Sequence, residues 1–375
     1  MRIKNIAVIS LLAVSFSACQ KDVQVPVTEN IDQDSLLRVF QNTKIPENPI
    51  VNLSSSPNFN NINAVKSSGV IRDSVWNNQL GRTYFVESNN FMVSDETQDV
   101  IFPGAILNSK AIVSKYEFNT FPPRMVEPLP IRASVSIPGP SVSGIIDFPS
   151  IDGTRDFLGE VLARQGNVEQ INSFSYTSSQ FTDYNELKYT FGANVDIAKI
   201  ANAALSGNST KIKNKTGIIA KFVQENFTLD MSLPKKTELI SVSDADALQQ
   251  EYAPTYINSV TYGRMGVFMA ETDVSYEEFN LAFKAGINIG IVNADAHMTA
   301  AQKAILDRAK ITIYMKFGPG PAYSATVDSY EKFKAAILAG ANVQAKSYGG
   351  PISFRMRNLK DFSLFKTIFK VDVNK

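Results

Sequence analysis

Two stretches of the chain satisfy two periodicities at once. Between Ala193 and Leu205, the residues Ile197, Ile200, Ala201, Ala204 and Leu205 form a stripe at helical spacing. The same stretch also alternates: Ala193, Val195, Ile197, Ala201, Ala203 and Leu205 share one face of a strand, with Lys199 as the single charged exception. Ser206-Gly207-Asn208-Ser209 reads as a turn. On the return, Thr210, Ile212, Thr216, Ile218, Ala220 and Phe222 lie on one face together with Asn214, and Lys211, Lys213, Lys215 and Lys221 on the other. The second stretch runs from Tyr276 to Arg308. Phe279, Ala282, Phe283, Gly286 and Ile287 form its helical stripe, while Phe283, Ala285, Ile287, Ile289 and Ile291 alternate with Lys284, Gly286, Asn288 and Gly290. Its return, Met298 to Leu306, suits a helix better than a strand. A packed helix needs the first pattern and a membrane-barrel strand the second. Each arm exceeds the roughly 9–11 residues that a tilted strand needs to cross hydrocarbon.

Plain strand patterns flank these stretches. Phe227, Leu229, Met231 and Leu233 alternate with polar neighbours, as do Ile311, Ile313 and Met315. The N-terminus has a different logic. Met1-Arg2-Ile3-Lys4-Asn5 is basic and Ile6 to Phe16 apolar, which is too short for a membrane helix and right for a signal peptide. Ser17-Ala18-Cys19 follows and resembles a bacterial lipobox, so Cys19 is expected to be the lipidated first residue of the mature chain. Gln20-Lys21-Asp22 resembles the charged tags of surface-exposed lipoproteins. From Val23 to about Gly69 the chain is rich in Asn, Ser and Pro and reads mainly as tether and surface loop, with one short capped helix expected after Asp34-Ser35.

Composition removes several functions. Lys plus Arg total 37 against 36 Asp plus Glu, so there is no long-range field to gather nucleic acid, and no nucleic-acid partner is expected. With one Cys and one His in 375 residues, neither a disulfide within the chain nor a Cys/His zinc site can form. A Ser–His–Asp triad would have to use His297, which lies in the polar connection Asp295-Ala296-His297-Met298 without a nucleophile elbow and reads as a solvated loop residue. No pair of carboxylates stands out. The chain reads as no enzyme, with no cofactor.

From residue 98 to about 361 a family resemblance appears. Ile101-Phe102-Pro103-Gly104-Ala105-Ile106-Leu107 resembles the YPGALL segment of the cholesterol-dependent (thiol-activated) cytolysins, and Ile131-Arg132-Ala133-Ser134-Val135-Ser136-Ile137-Pro138-Gly139 the SVDLPG strand that follows it there. Tyr256-Ile257-Asn258-Ser259-Val260-Thr261-Tyr262-Gly263-Arg264 is similar to YISSVAYGR, with Tyr262, Gly263 and Arg264 as its core. Glu271-Thr272 falls at the family's ETT, and Gly350-Pro351-Ile352-Ser353-Phe354 with Leu359-Lys360-Asp361 resembles LPISY followed by LKD.

The resemblance implies an elongated α+β fold, that of the MACPF/CDC superfamily, with a central bent antiparallel sheet flanked by two helical clusters. It also implies that the two dual-period stretches are those clusters, and that each converts to a membrane hairpin when subunits close a barrel. The lipid-facing residues expected are Val195, Ile197, Ala201, Leu205, Ile212, Ile218, Ala220 and Phe222 in the first hairpin, and Phe283, Ala285, Ile287, Ile289 and Ile291 in the second. A paired-glycine hinge of the family falls at Lys316-Phe317-Gly318-Pro319-Gly320, where Phe317 replaces one glycine and Gly318 and Gly320 are the hinge candidates. The family's C-terminal sterol-binding sandwich has no counterpart before Lys375, and the lone Trp is Trp76, so direct cholesterol binding by the usual Trp-rich loop is not expected.

The organisation expected is 1–18 signal peptide, 19–69 lipidated tether and surface segment, and 70–375 cytolysin-like body. Within the body, 177–226 and 255–330 carry the sheet with its two inserting clusters, and 361–375 is a C-terminal extended strand. The function expected is pore formation in a lipid bilayer, as a homo-oligomer or with a longer cytolysin-like homologue that recognises the membrane. The protein is expected to be exported and either anchored at the bacterial surface or released. The alternative is a non-lytic surface lipoprotein that keeps the fold for adhesion, binding or inhibition of a sister toxin.

Overall fold

The computed structural model describes residues 42–56, 70–79, 81–94, 97–121, 129–165, 173–181, 184, 211–234, 239, 251–291, 298–316, 323–327, 329, 331–332, 335 and 348–374. In chain order the elements begin with β1 (Ile50–Ser56), β2 (Val70–Val75), β3 (Gly81–Ser88), β4 (Phe91–Met92), β5 (Ile106–Leu107), α1 (Ser109–Lys115), β6 (Ile131–Val135), β7 (Ser143–Ile146) and α2 (Ile151–Gln165). They continue with β8 (Ser173–Phe181), β9 (Thr216–Met231), β10 (Thr255–Thr272), α3 (Tyr276–Ile291), α4 (Ala300–Arg308), β11 (Lys310–Lys316), β12 (Tyr323–Val327), β13 (Gly350–Asn358) and β14 (Thr367–Asn374).

β10 is the spine of the larger sheet, whose main order is β12-β11-β10-β9-β6-β7. Its 18 residues are buried at almost every position, so both faces are covered, and Thr255, Ser259, Arg264, Glu271 and Thr272 are buried along with its apolar residues. β9 runs antiparallel along one side of it, from Ser259↔Asp230 to Thr272↔Thr216. On the other side β10 changes partner. Thr255 to Gly263 pair with β13, and Met265 to Glu271 pair with β11.

Strand alternation sorts the core into two faces along the β9–β11 half. Ile218, Ala220, Phe268, Ala270, Ile311, Ile313 and Met315 face the pair α3–α4. Ile219, Met265, Val267, Met269 and Tyr314 face the other way, with Phe181, Tyr184 and Ile352. A third cluster fills the half around β13, where Phe91, Phe118 and Phe354 meet with ring centroids 5.4–5.7 Å apart.

A separate four-stranded sheet has the order β1-β14-β3-β2, with β1 parallel to β14 and the other pairs antiparallel. β14 lies within the C-terminal segment 361–375. The N-terminal stretch read as tether and loop needs correction over 42–56. Ile50 to Ser56 add a strand to β14, Thr43 is buried, and Lys360 Nζ donates to the Thr43 carbonyl at 2.6 Å. Ile50-Val51-Asn52-Leu53 has strand propensity, and an open edge on β14 satisfies its backbone. The helix expected after Asp34-Ser35, Cys19, the stretch 193–205, and Gly318 and Gly320 lie outside the described residues.

Candidate functional site

Four strand ends stand in one row. Phe181 of β8 pairs with Gly217 of β9, Gly217 with Glu271 of β10, and Glu271 with Lys310 of β11. The chain between Phe181 and Gly217 contains the first dual-period stretch, and the chain between Glu271 and Lys310 contains the second. Both therefore leave the same end of the sheet, side by side, and each joins two strands that are already antiparallel neighbours.

The second stretch rests as helix. Ser275 and Glu278 cap α3 reciprocally: the Glu278 amide donates to Ser275 Oγ at 3.2 Å and the Ser275 amide to Glu278 Oε2 at 3.2 Å. Thr299 and Gln302 form the same box at the start of α4. Phe279, Ala282 and Phe283 of α3 and Leu306 of α4 are at most 1% exposed against the sheet. Phe283 stacks on Phe279 at 5.8 Å and meets Phe268 of β10 edge-on at 5.4 Å. Burying each of these large side chains is worth about 1.5–3 kcal/mol. The helical stripe read from the sequence is thus the face that holds the pair down, while Leu281 on the outer face is 64% exposed.

Glu271 ties the bases of the two stretches together. Only 5% exposed, its carboxylate accepts from the Tyr184 hydroxyl at 2.8 Å and from the backbone amides of Lys213 at 2.8 Å and Asn214 at 3.2 Å. Burial, the bond to Glu271 and the charge of Glu271, in that order, push the Tyr184 hydroxyl pKa upward, so it stays a donor. Three donors on one buried carboxylate form a strong, satisfied cluster.

The Tyr262-Gly263-Arg264 motif marks where β10 exchanges β13 for β11. The registers against both β9 and β13 shift at this point. A Cβ on Gly263 would lie 2.0 Å from the Gln224 carbonyl oxygen, and one on Gly349 (φ +76°) would lie 2.0 Å from the Gly263 carbonyl oxygen. Three backbone segments converge here, and only glycine admits that approach. Tyr262 stacks on Phe227 at 5.3 Å, and Arg264 is buried at 1% exposure. Two lysines face away from α3–α4. Lys316 Nζ donates to the Val93 carbonyl at 2.7 Å, and Lys221 Nζ lies 3.5 Å from Met92 Sδ. Burial pulls the Lys221 ammonium down to about 8, partly offset by Glu225.

Of the residues expected in the first hairpin, Val195, Ile197, Ala201 and Leu205 lie outside the described residues. Ile212 is half-buried in the connection before β9, and Phe222 lies within β9. Ile218 and Ala220 are already strand, buried beneath Phe283, so from Thr216 onward this return arm does not rest as helix. Of the second hairpin, Phe283 is buried and Ala285 half-buried, and Ile287, Ile289 and Ile291 occupy the last turns of α3. The carboxylate cluster at Glu271 carried no signal in the sequence beyond the Glu-Thr resemblance.

The sequence model of the thiol-activated cytolysins matches residues 81–367. Perfringolysin O of Clostridium perfringens is 25% identical over 298 residues, spanning 75% of this chain and 57% of that toxin. Pneumolysin of Streptococcus pneumoniae is 24% identical over 298 residues, spanning 75% of this chain and 61% of that toxin. The chain therefore spans less than two thirds of the length of these relatives. A solved structure of pneumolysin superposes with a TM-score of 0.70 over 90% of this chain and 73% of that one, at 19% identity. The large antiparallel sheet with its docked helix pair has the fold of these toxins, and the family model matched over 81–367 shows that this chain belongs to the thiol-activated cytolysin family.

Proposed function

We propose that this chain is a pore-forming cytolysin-like protein that oligomerises and inserts two β-hairpins per subunit into a target bilayer. The observation that carries this reading is the row Phe181–Gly217–Glu271–Lys310. Each dual-period stretch joins adjacent antiparallel strands, so either can lengthen those strands without any change of topology. Unwinding α3 and α4 would turn 272–309 into a hairpin continuous with β10 and β11. Among the described residues no helix is long and apolar enough to cross a membrane. A strand in lipid needs partners for every backbone group, so insertion goes with closure of a multi-subunit barrel.

Membrane recognition in this reading comes from a longer cytolysin-like partner, with the Cys19 lipid holding the chain at a surface. The test is release of a trapped dye from phosphatidylcholine–phosphatidylethanolamine vesicles, with the chain alone, with a longer homologue encoded in the same genome, and with the chain tethered by a terminal His-tag to nickel-chelating lipid. Release with the homologue or the tether, accompanied by ring-shaped oligomers in electron micrographs, is the expected result. A tethered chain at high surface density that forms neither rings nor leaks would favour the non-lytic surface lipoprotein instead.

A further inference from the structure

A cleft of about 300 Å³ opens where three parts of the chain meet, a size at the lower end of sites that take small molecules. The first turn of α2 supplies Thr154 and Arg155, and the 3-10 turn Gln98–Val100 supplies Asp99. The third wall is Tyr262 of β10 with Tyr348 to Pro351, which lead into β13. Tyr262 pairs with Pro351 beside the register shift at Thr261–Tyr262, so the cleft lies where β10 is about to exchange β13 for β11.

Thr154 has an unanswered group. It is 2% exposed, it lines the cleft, and its hydroxyl has no hydrogen-bond partner. A threonine inside a helix can turn its hydroxyl back to the carbonyl four residues earlier. Here the Ser150 carbonyl accepts from the Thr154 amide at 3.0 Å, and the Thr154 hydroxyl does not join it. A buried hydroxyl left so is costly, and a ligand atom that bonds to it removes the cost.

The neighbouring groups set the chemistry of that ligand. Tyr262 is 6% exposed. Burial first, and then the Tyr348 hydroxyl, push its pKa upward, while the Arg155 guanidinium opposes them, so Tyr262 remains a donor beside a fixed positive charge. Arg155 is paired with Asp152 at 3.7 Å, between side chains 69% and 92% exposed. A pair so exposed holds the guanidinium only weakly. Thr154, Tyr262 and Arg155 thus offer donors to one space, and a carboxylate, which only accepts and takes a guanidinium bidentately, matches them. Asp99 is the one acidic group among the described lining residues. It accepts only, so it favours a ligand that carries a donor of its own and disfavours a second negative charge.

We infer that this cleft binds a small carboxylate that also bears a hydroxyl or ammonium donor. Arg155, Thr154 and Tyr262 hold the carboxylate, Asp99 takes the donor, and Ile101, Ile151 and Pro351 line the apolar remainder. The occupant joins α2 to the entry of β13 and braces the junction at Tyr262-Gly263-Arg264. The site is independent of the hairpin reading.

Isothermal titration of the full chain with glucuronate, L-valine, acetate and glucose tests the site. Glucuronate carries its donors as hydroxyls and valine as an ammonium, so these two arms separate the sources. Expected is saturable binding of at least one of them, about tenfold or more tighter than acetate or glucose, each of which lacks one of the two recognised groups. The bound compound should also raise the midpoint of thermal unfolding. Thr154→Val keeps the side-chain shape and should weaken binding about tenfold, yet leave the unliganded chain at least as stable, because the group removed has no partner there. Arg155→Gln should abolish the preference for the carboxylate. Binding that both substitutions leave unchanged, or no saturable binding of glucuronate or valine at millimolar concentration, would overturn the site. Vesicle leakage tests the pore reading separately and is unaffected by either result.

Discussion

The Tyr184 hydroxyl donates to the buried carboxylate of Glu271 across 87 residues of chain, at 2.8 Å. Glu271 is the last β10 residue paired with β11, and it also holds the amides of Lys213 and Asn214. One side chain thus joins the exit points of both dual-period stretches. Replacing it by alanine orphans three donors, at about 1–3 kcal/mol for each one left buried without a partner. Glu271→Ala should lower the midpoint of thermal unfolding by several degrees and speed hydrogen exchange at Lys213 and Asn214. Unchanged exchange at those two amides would show that the clasp does not hold the base of the first stretch.

Gly263→Ala should be far costlier than an ordinary glycine substitution inside a strand. Its Cβ would meet the Gln224 carbonyl oxygen at 2.0 Å, and backbone there cannot swing aside as a side chain could. The expected loss is about 1–3 kcal/mol in urea unfolding. Gly349→Ala adds the strain of a positive φ to a clash with the same Gly263 segment.

Lys221 predicts a pH dependence of stability. Burial holds its folded pKa at about 8, below the ordinary value of 10.5. Between these values the unfolded chain binds the extra proton, so stability should rise with pH from about 8 towards 10.5, with the penalty in full force below 8. Lys221→Met should raise the unfolding midpoint at pH 7 and flatten that rise. Parallel curves for the two proteins between pH 7.5 and 9.5 would rule out a buried ammonium at this position.

The two faces of α3 should separate folding from insertion. Phe283→Ala leaves a cavity beneath Phe268 and should cost about 3–5 kcal/mol. Leu281 is 64% exposed, so Leu281→Asp should leave the free energy of unfolding within about 0.5 kcal/mol of the parent. The same change places a carboxylate in the 272–309 arm proposed to cross the bilayer and should reduce vesicle leakage strongly.

Much of this arrangement was legible in the sequence wherever it is local. The stripe Phe279, Ala282, Phe283 predicts the buried face of α3 because helical spacing alone puts those side chains together. The strands at Phe227–Met231 and Ile311–Met315 follow from alternation, and Tyr262-Gly263-Arg264 is singled out by its resemblance. The parts that were not legible depend on distant partners. Glu271 draws its donors from 57 to 87 residues away, so no local pattern announces it. Residues 50–56 read as polar loop because their strand exists only against β14, more than 300 residues later. Ile218 and Ala220 alternate as any half-buried strand does, and alternation alone does not distinguish a lipid face from the sheet face under α3.

Conversion of helix to strand on the membrane is tested most directly by amide-I infrared spectroscopy of the protein before and after assembly on tether-containing vesicles. The expected result is loss of the helix signal of at least α3 and α4, Tyr276–Ile291 and Ala300–Arg308, with a matching gain of strand tilted to the membrane normal. Rings that form and leak while the helix signal stays whole would contradict it.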